Sequence, residues 1–419
     1  MAAQTSRRLL DAADIAGAAQ TFLGDADDRR VLVAVENNAE MRDRGMTLAY
    51  GIALIQRGRL SFEQSGPIRD LFLSTPPPTP IPPGTAEVFG VTNPTLLWQS
   101  VAATADFAWS GRAMADMATR ATGRRIDAVV AIDVPALARL LGSAGPVAVE
   151  GLATPLTSSN VEQLFLHDQY EGLAPGGTAA REALQAAATR AMFERLTHAS
   201  LDVFSLSREL GTAVAGGHLR LWSASATEER VFERVGAGGG PALTEPERTF
   251  HLAVENRTAT KLDFYVFPSV HHHVIVRPDG SAVVDTEVTI DNRAPENAAP
   301  SYALGPDKNT TKAGEYVAWV LLWTPLHSSP LTMPVESGLN LRQEVIRVGA
   351  GDHRVAKFRT LIPRAVRGGR LALRFTPQPR SVPVPVDVEI TAPGWHLAGS
   401  PTWRGQLDRT LTLHWQLSR

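Results

Sequence analysis

The sequence contains no cysteine and only four lysines among its 419 residues. The missing cysteines exclude structural disulfides, thiolate catalysis and cysteine-bound metal centres. The 41 basic and 43 acidic side chains nearly cancel, so no net positive field attracts nucleic acid or an anionic membrane surface. Nucleic acid is therefore not an expected partner.

Long apolar runs are also lacking, because no stretch approaches the ~20 apolar residues that span a bilayer. The 44% hydrophobic and 20% charged residues that are present are typical of a globular protein. A chain of this length exceeds what one core usually organises, which favours two domains. We place the boundary near residue 250, after the glycine-rich string VGAGGG at 235–240.

Helix and strand patterns alternate over residues 1–250, which predicts an α/β (α+β) domain. The predicted elements are a helix at 6–23, a buried strand VLVAV at 31–35, a hairpin over 48–64 that turns at Arg57-Gly58-Arg59, an extended proline-rich connection at 74–84, a helix at 94–122, a strand, helix and strand over 124–151, and a long helix at 179–198.

Residues 251–419 show a different pattern of short alternating runs separated by Gly, Pro, Asn and Asp. The string VRPDGSAVV around Asp279-Gly280 is a compact hairpin signal of this kind. Many short strands at this spacing predict an antiparallel β-sandwich domain over residues 251–419.

A polar cluster follows the first predicted strand, in the string VENNAEMRDRGM at 35–46. Such a cluster is most often a turn whose side chains cap backbone groups and pair with one another. Alternatively, its arginines could grip phosphate oxygens in pairs while an acid orients them or holds a divalent metal. Asn37 and Asn38 fit turn architecture better than catalysis.

Other candidate groups have simpler interpretations. Asp127 and Asp133 share one face of a predicted strand, but Asp133 precedes Val134-Pro135 and so favours a helix N-cap over a carboxylate pair. In the tract at 271–273, only the two outer histidines share a strand face, so an exposed histidine strand is favoured over a metal site. No nucleophile elbow, phosphate-binding loop or dinucleotide fingerprint occurs in its required context.

Two strings carry a family resemblance. The string VENNAEMRDRGMTLAYGIALIQRGRL at 35–60 resembles the opening motif of the domain-of-unknown-function family DUF4012. The string RRIDAVVAIDVPALARLLGSAGPVAVEG at 124–151 is similar to that family's second hallmark. The resemblance covers roughly residues 30–200, and a sandwich-like C-terminal part is a usual companion. One departure is Arg44 before Gly45, where a pair of glycines is commoner.

The same α/β order is distantly similar to the LytR-CpsA-Psr phosphotransferases, which attach glycopolymers to cell walls from polyprenyl-pyrophosphate carriers. This similarity implies a LytR-CpsA-Psr-like α/β fold and an extracytoplasmic, cell-envelope location. It also implies a lipid-linked glycan or envelope polymer as partner, and a membrane anchor N-terminal to this chain. An intracellular binding protein stays open as well, because no export signal is visible.

The resemblance also implies the site residues. A cofactor is not defined, although Mg²⁺ is expected if the site is catalytic, and no metal-ligand set is predicted. A glycopolymer phosphotransferase and a non-catalytic envelope scaffold or glycan-export accessory both stay open, and the few arginines near Arg181 favour the second. The expected catalytic residues are Glu40, Arg42 and Arg181, and the expected ligand-binding residues are Asn37, Asn38, Arg44 and Asp168.

Overall fold

The computed structural model describes residues 17, 21–22, 28–171, 179–198, 203–330 and 333–419. The helix predicted at 6–23 lies almost entirely outside the described residues. A five-stranded sheet in the order β3-β2-β1-β4-β5 organises the first region, with β1 and β4 parallel and the other neighbours antiparallel. Its strands are β1 Arg29–Met41, β2 Gly45–Gln56, β3 Arg59–Pro67, β4 Ala128–Asp133 and β5 Leu219–Ser223.

Helices cover both faces of this sheet. Because successive side chains of a strand point to opposite faces, Leu32 and Ala34 of β1 pack with the helix at 107–122, whereas Val33 packs with the helices between 134 and 215. The predicted mixed α/β region is therefore confirmed. The helices are α1 Pro83–Phe89, α2 Phe107–Thr122, α3 Val134–Ala144, α4 Val161–Leu166, α5 Ala179–His198, α6 Val203–Ala215 and α7 Ala226–Arg234.

Two sheets make up the second region, in the orders β10-β11-β9-β6-β13-β17-β15 and β12-β8-β7-β14-β16. Buried apolar residues of both sheets form one hydrophobic core. The strands are β6 Thr249–Asn256, β7 Val266–Val276, β8 Ala282–Asn292, β9 Tyr316–Thr324, β10 Val335–Glu336, β11 Leu339–Val348, β12 His353–Ile362, β13 Arg370–Thr376, β14 Val384–Thr391, β15 His396–Ala398, β16 Thr402–Leu407 and β17 Leu411–Ser418.

The predicted antiparallel β-sandwich is not confirmed, because both of these sheets are mixed. β13 lies parallel to β6, and β14 lies parallel to β7. Hairpin signals in a sequence identify strands that are neighbours along the chain. They do not show which distant strand a later one joins, and both parallel pairs arise from such distant joins.

Local predictions had mixed outcomes. The hairpin turn is confirmed, since Arg57 and Gly58 have φ of 48° and 73°, as a two-residue turn with two positive φ values requires. The prediction of a strand at the end of 124–151 is wrong, because Val147 there makes only an isolated bridge to Leu156. The helix predicted from residue 94 begins only at Phe107, where Asp106 supplies the N-cap.

None of the helices in the described ranges is long and apolar enough to cross a membrane.

Candidate functional site

The polar cluster at 36–44, for which the sequence favoured a turn, is mostly strand, and only residues 42–44 turn the chain. β1 continues through it to Met41, with irregular pairing to β2 after Val35 and again after Asn37. Such bulges re-aim side chains while the strand continues. As a result, the charged and amide side chains of this segment are all buried, namely those of Glu36, Asn37, Asn38, Glu40, Arg42, Asp43 and Arg44.

The two asparagines hold this strand end through hydrogen bonds, and their predicted ligand-binding role stays a prediction. Asn37 accepts a hydrogen bond from the Ala39 backbone N–H at 2.8 Å and donates to the Phe165 carbonyl at 2.9 Å. Asn38 donates to Asp133 at 2.8 Å and to the Pro379 carbonyl, also at 2.8 Å. Asn38 therefore ties the α/β region to the sheet-rich region.

Asp133 has the N-cap role that the sequence favoured. Its Oδ1 accepts a hydrogen bond from the Ala136 backbone N–H at 3.0 Å, and its Oδ2 lies 2.6 Å from His218 Nδ1. Burial lowers the pKa of His218, but the Asp133 carboxylate has the larger combined effect and leaves that pKa raised. Asp127 instead accepts a hydrogen bond from the Arg30 backbone N–H, so the two aspartates do not form a carboxylate pair.

Arg44 lies in a separate buried cluster. Its guanidinium is 3.4 Å from Glu36 and 3.6 Å from Asp43, and it stacks over the Phe107 ring. Burial raises the pKa of Glu36 to about 7 despite the nearby Arg44 charge. The predicted ligand role of Arg44 stays a prediction, and the structure places this side chain away from the cavity described below.

Arg42 and Glu40 hold the two regions together. The five N–H groups of Arg42 all point at protein acceptors, including the Gln99 carbonyl at 2.9 Å and the Asn256 carbonyl at 2.8 Å. Glu40 pairs with Arg42 at 3.4 Å and also with the buried Lys261. Burial lowers the pKa of Lys261, but Glu40 and nearby tyrosines outweigh this and leave the pKa raised, so the ammonium stays charged.

A cavity of about 590 Å³ opens beside this junction. It lies between the β1–β2 turn, α5 and the chain segments at 256–259 and 302–309. Three of the predicted site residues, Glu40, Arg42 and Arg181, line it together, which is the grouping that the family resemblance implied. The charged residues around it are the cations Arg42, Arg69, Arg181, Arg257 and Lys308 and the carboxylates Glu40, Glu182 and Asp307.

Arg181 lies beside two aromatic rings that stack on each other. Its guanidinium lies 5.5 Å from the Tyr170 ring centre and 5.0 Å from that of Tyr302, at cation–π distance. It pairs with Glu182 at 3.5 Å, and its Nε is buried without a hydrogen-bond partner. Arg181 thus keeps donor capacity that the protein itself does not satisfy.

The carboxylates of the cavity are already engaged by other groups. Glu182 pairs with both Arg69 and Arg181, and Glu40 pairs with Arg42. Asp307 accepts hydrogen bonds from the backbone N–H groups of Ala259 and Asn309, so it organises its own loop.

Two further cations of the cavity have no carboxylate partner. Within the described ranges, neither Arg257 nor Lys308 has an ion pair within 4.0 Å. Arg257 is half-buried and stacks 3.7 Å above the Trp319 ring. The cavity therefore presents unneutralised positive charge.

Apolar surface adjoins this charge. Ile68, Phe72 and Leu97 line the cavity. A second, narrow cavity of about 30 Å³ runs between the sheet and its helices, and both cavities share Leu48 and Gln185. Its volume is close to that of one water molecule, so in this conformation it does not hold a chain of carbon atoms.

Asp168 lies outside the cavity, and its predicted ligand role stays a prediction. It accepts hydrogen bonds from His167 at 2.8 Å and Gln163 at 2.7 Å. His167, Asp168 and Glu171 form the one group of potential metal ligands in the described ranges. The His167 ring is already bonded on both sides, since its Nε2 lies 2.7 Å from the Tyr265 hydroxyl.

Sequence reasoning missed four residues that shape the cavity. Arg257, Lys261, Tyr302 and Lys308 all come from the sheet-rich region, more than 200 positions after the cluster at 36–44. No local motif marks them. The only available signal was that Lys261 and Lys308 are two of just four lysines in the chain.

Comparison with known proteins gives one family match and several solved structures of low similarity. Residues 26–170 match the family described as "Protein of unknown function (DUF4012)", which confirms the predicted resemblance over that segment. No curated protein matches the chain. Similar solved structures include the Lin1025 protein from Listeria innocua (12% identity, TM-score 0.29, 49% of this chain and 76% of that chain) and a LytR-Csp2A-Psr enzyme from Actinomyces oris (10% identity, TM-score 0.25, 50% of this chain and 75% of that chain).

Proposed function

We propose that the 590 Å³ cavity binds the phosphate or pyrophosphate group of a polyprenyl-phosphate-linked glycan or a related anionic envelope ligand. The observation that carries this proposal is the unneutralised charge of Arg257 and Lys308 beside the unsatisfied Nε of Arg181. Guanidinium groups grip phosphate oxygens through paired N–H donors, and an ammonium adds a point charge. An anion in this cavity would neutralise the positive charge of these side chains.

The apolar wall supports a ligand that carries hydrocarbon next to its phosphate. Phe72 lines the cavity and keeps 57% of its surface exposed, although large apolar side chains are usually buried. A lipid tail would cover this ring and Leu97 while its phosphate meets the cations. The narrow cavity between sheet and helices would have to widen before it could accept a tail.

A binding role is favoured over phosphoryl transfer. Electrostatic catalysis needs donors aimed at the charge that develops in the transition state. The N–H groups of Arg42 are instead committed to the protein, and both oxygens of Glu40 are paired with cations. We therefore propose a non-catalytic envelope binding protein or glycan-export accessory, with a glycopolymer phosphotransferase as the alternative.

Calorimetric titration with farnesyl pyrophosphate tests the site. Replacing Arg181→Met keeps an apolar side chain beside the tyrosines but removes the cation. We expect affinity to fall roughly tenfold or more, since hydrogen bonds to charged groups contribute about 1.5–3 kcal/mol. Arg190→Met is the matched control, because Arg190 is an exposed arginine on the same helix.

Equal affinities of the Arg181→Met and Arg190→Met proteins would rule out this cavity as the phosphate site. A parallel titration with inorganic pyrophosphate separates the charge contribution from that of the tail. If the alternative transferase holds, the wild-type protein would transfer the terminal phosphoryl group of farnesyl pyrophosphate to a hydroxyl of a glycan acceptor. The P–O–P bridge breaks and farnesyl monophosphate leaves, and Arg42→Lys would abolish formation of both products.

The envelope location is the part of the proposal that comes from the sequence resemblance. Fractionation of the host cell into cytoplasm, membrane and wall, followed by immunodetection of the full-length protein, tests it. Recovery in the cytoplasmic fraction alone would contradict the envelope location, but it would not bear on the proposed anion site.

A further inference from the structure

A second positively charged pocket lies in the sheet-rich region, away from the cavity described above. Its volume is about 410 Å³. Apolar side chains such as Ile362 and Leu371 form part of its lining. Its charged lining consists of four arginines and one carboxylate, namely Arg248, Arg364, Arg367, Arg370 and Glu247.

The single lining carboxylate is already engaged. Arg248 pairs with Glu247 at 3.2 Å and with Glu245 at 3.5 Å. In the part of the chain that the structure describes, Arg364, Arg367 and Arg370 have no ion pair within 4.0 Å. Three exposed arginines therefore line one pocket, and the one lining carboxylate, Glu247, is already paired with Arg248.

The chain places two of these arginines directly opposite each other. Arg367 and Arg370 flank a two-residue Gly-Gly turn, and they exchange backbone hydrogen bonds of 2.9 and 3.1 Å. Like charges at directly opposed positions destabilise a strand pair. An anion between them would turn this repulsion into attraction.

Arg364 adds a second unfavourable feature at the same pocket. Its φ of 49° lies in the left-handed region, where glycine is the usual residue, and it follows Pro363 in a turn. Strained backbone of this kind concentrates at functional sites.

We propose that this pocket, lined by Arg364, Arg367 and Arg370, binds a multiply charged oxyanion of the phosphate class. Planar guanidinium groups match phosphate oxygens with paired donors, and three of them neutralise a di- or trianion. The proposal is independent of the cavity that contains Arg181. It assigns a ligand-binding role to the sheet-rich region.

Titration calorimetry with inorganic pyrophosphate tests the proposal in full-length protein that carries Arg181→Met, so that the other cavity is weakened. We expect one pyrophosphate bound per chain. Adding Arg364→Gln and Arg367→Gln should weaken binding by roughly a hundredfold, because each removes charge-assisted hydrogen bonds. Adding Arg404→Gln, an exposed arginine on β16, should leave the affinity unchanged.

Two results would overturn the proposal. One is pyrophosphate binding that survives the Arg364→Gln and Arg367→Gln changes, and the other is the absence of binding before those changes. Citrate serves as the comparison for a tricarboxylate. Equally tight citrate binding would overturn the assignment to the phosphate class.

The variant Arg364→Gly separates a ligand role from a structural one. Glycine adopts the positive φ without strain, so we expect the melting temperature to stay the same or rise. Pyrophosphate binding should nevertheless weaken about tenfold, because one guanidinium is lost. A lower melting temperature with unchanged binding would show that Arg364 serves the fold alone and would overturn its assigned role.

Discussion

Glu255 is the residue whose environment has the clearest measurable consequence. It is fully buried on β6, and both of its carboxylate oxygens lack hydrogen-bond partners. Burial raises its pKa to about 8, although Arg42 and Arg257 act in the opposite direction. In the unfolded chain the same group has a pKa of about 4.3. Between these pH values the folded protein holds a proton that the unfolded chain has released, so rising pH lowers stability.

The variant Glu255→Gln should therefore lose less stability than wild type as the pH rises from 6 to 9. Each unit of pKa difference corresponds to about 1.4 kcal/mol, so at pH 9 the variant should be more stable by a few kcal/mol at most. Urea unfolding followed by circular dichroism at several pH values measures this. Glu389→Gln, at an exposed strand position, is the control. Parallel pH profiles for wild type and Glu255→Gln would contradict the prediction.

The β1–β2 element depends on a single glycine. A Cβ added to Gly45 would lie 2.8–2.9 Å from backbone atoms of Asn37, so the bulged strand end could not keep its position. We expect Gly45→Ala to destabilise the protein by about 1–3 kcal/mol, as overpacking does. Gly90→Ala is the matched control, because Gly90 has open space around it and a helical φ of −55°. Equal melting temperatures for the two variants would show that the strand end adapts.

The same element shows which structural features could be predicted from the sequence and which could not. VLVAV predicted a buried strand, and the Arg57-Gly58 turn predicted the hairpin, because both depend on residues that are close along the chain. The burial of Glu36 through Arg44 could not be predicted, since their partners lie far away in sequence. Likewise, Arg42 and Arg181 were predicted as one site from the family resemblance, whereas Arg257 and Lys308 carry no local signal.

At the scale of the whole molecule, a buried ion pair helps to couple the two regions. Lys261 of the sheet-rich region is buried and pairs with Glu40 of β1. Removing one partner of a buried pair leaves an uncompensated charge, which costs about 3–5 kcal/mol. We expect Glu40→Gln to cost this much and Glu40→Gln with Lys261→Met to recover part of it. Glu87→Gln, at an exposed position of α1, is the control.

Hydrogen exchange followed by mass spectrometry locates the effect of this change. In the Glu40→Gln protein, protection should fall on both sides of the junction, in β1 and in β6. If protection falls in β1 alone, the two regions are not energetically coupled through this pair. The same conclusion follows if the losses of unfolding free energy caused by Glu40→Gln and by Lys261→Met add fully in the double variant.

The cavity beside this junction is lined by two stretches of the chain, and only the first of them matches a known family. Only Arg42 and Arg69 of its five cations fall within residues 26–170, the segment that matches the family. Arg181, Arg257 and Lys308 lie beyond it. A homologous segment joined to an unrelated sequence after residue 170 would keep the strand and the hairpin yet lack three of the five cations. Ligand specificity should therefore be inherited with the pairing of the two regions and not with the matched segment alone.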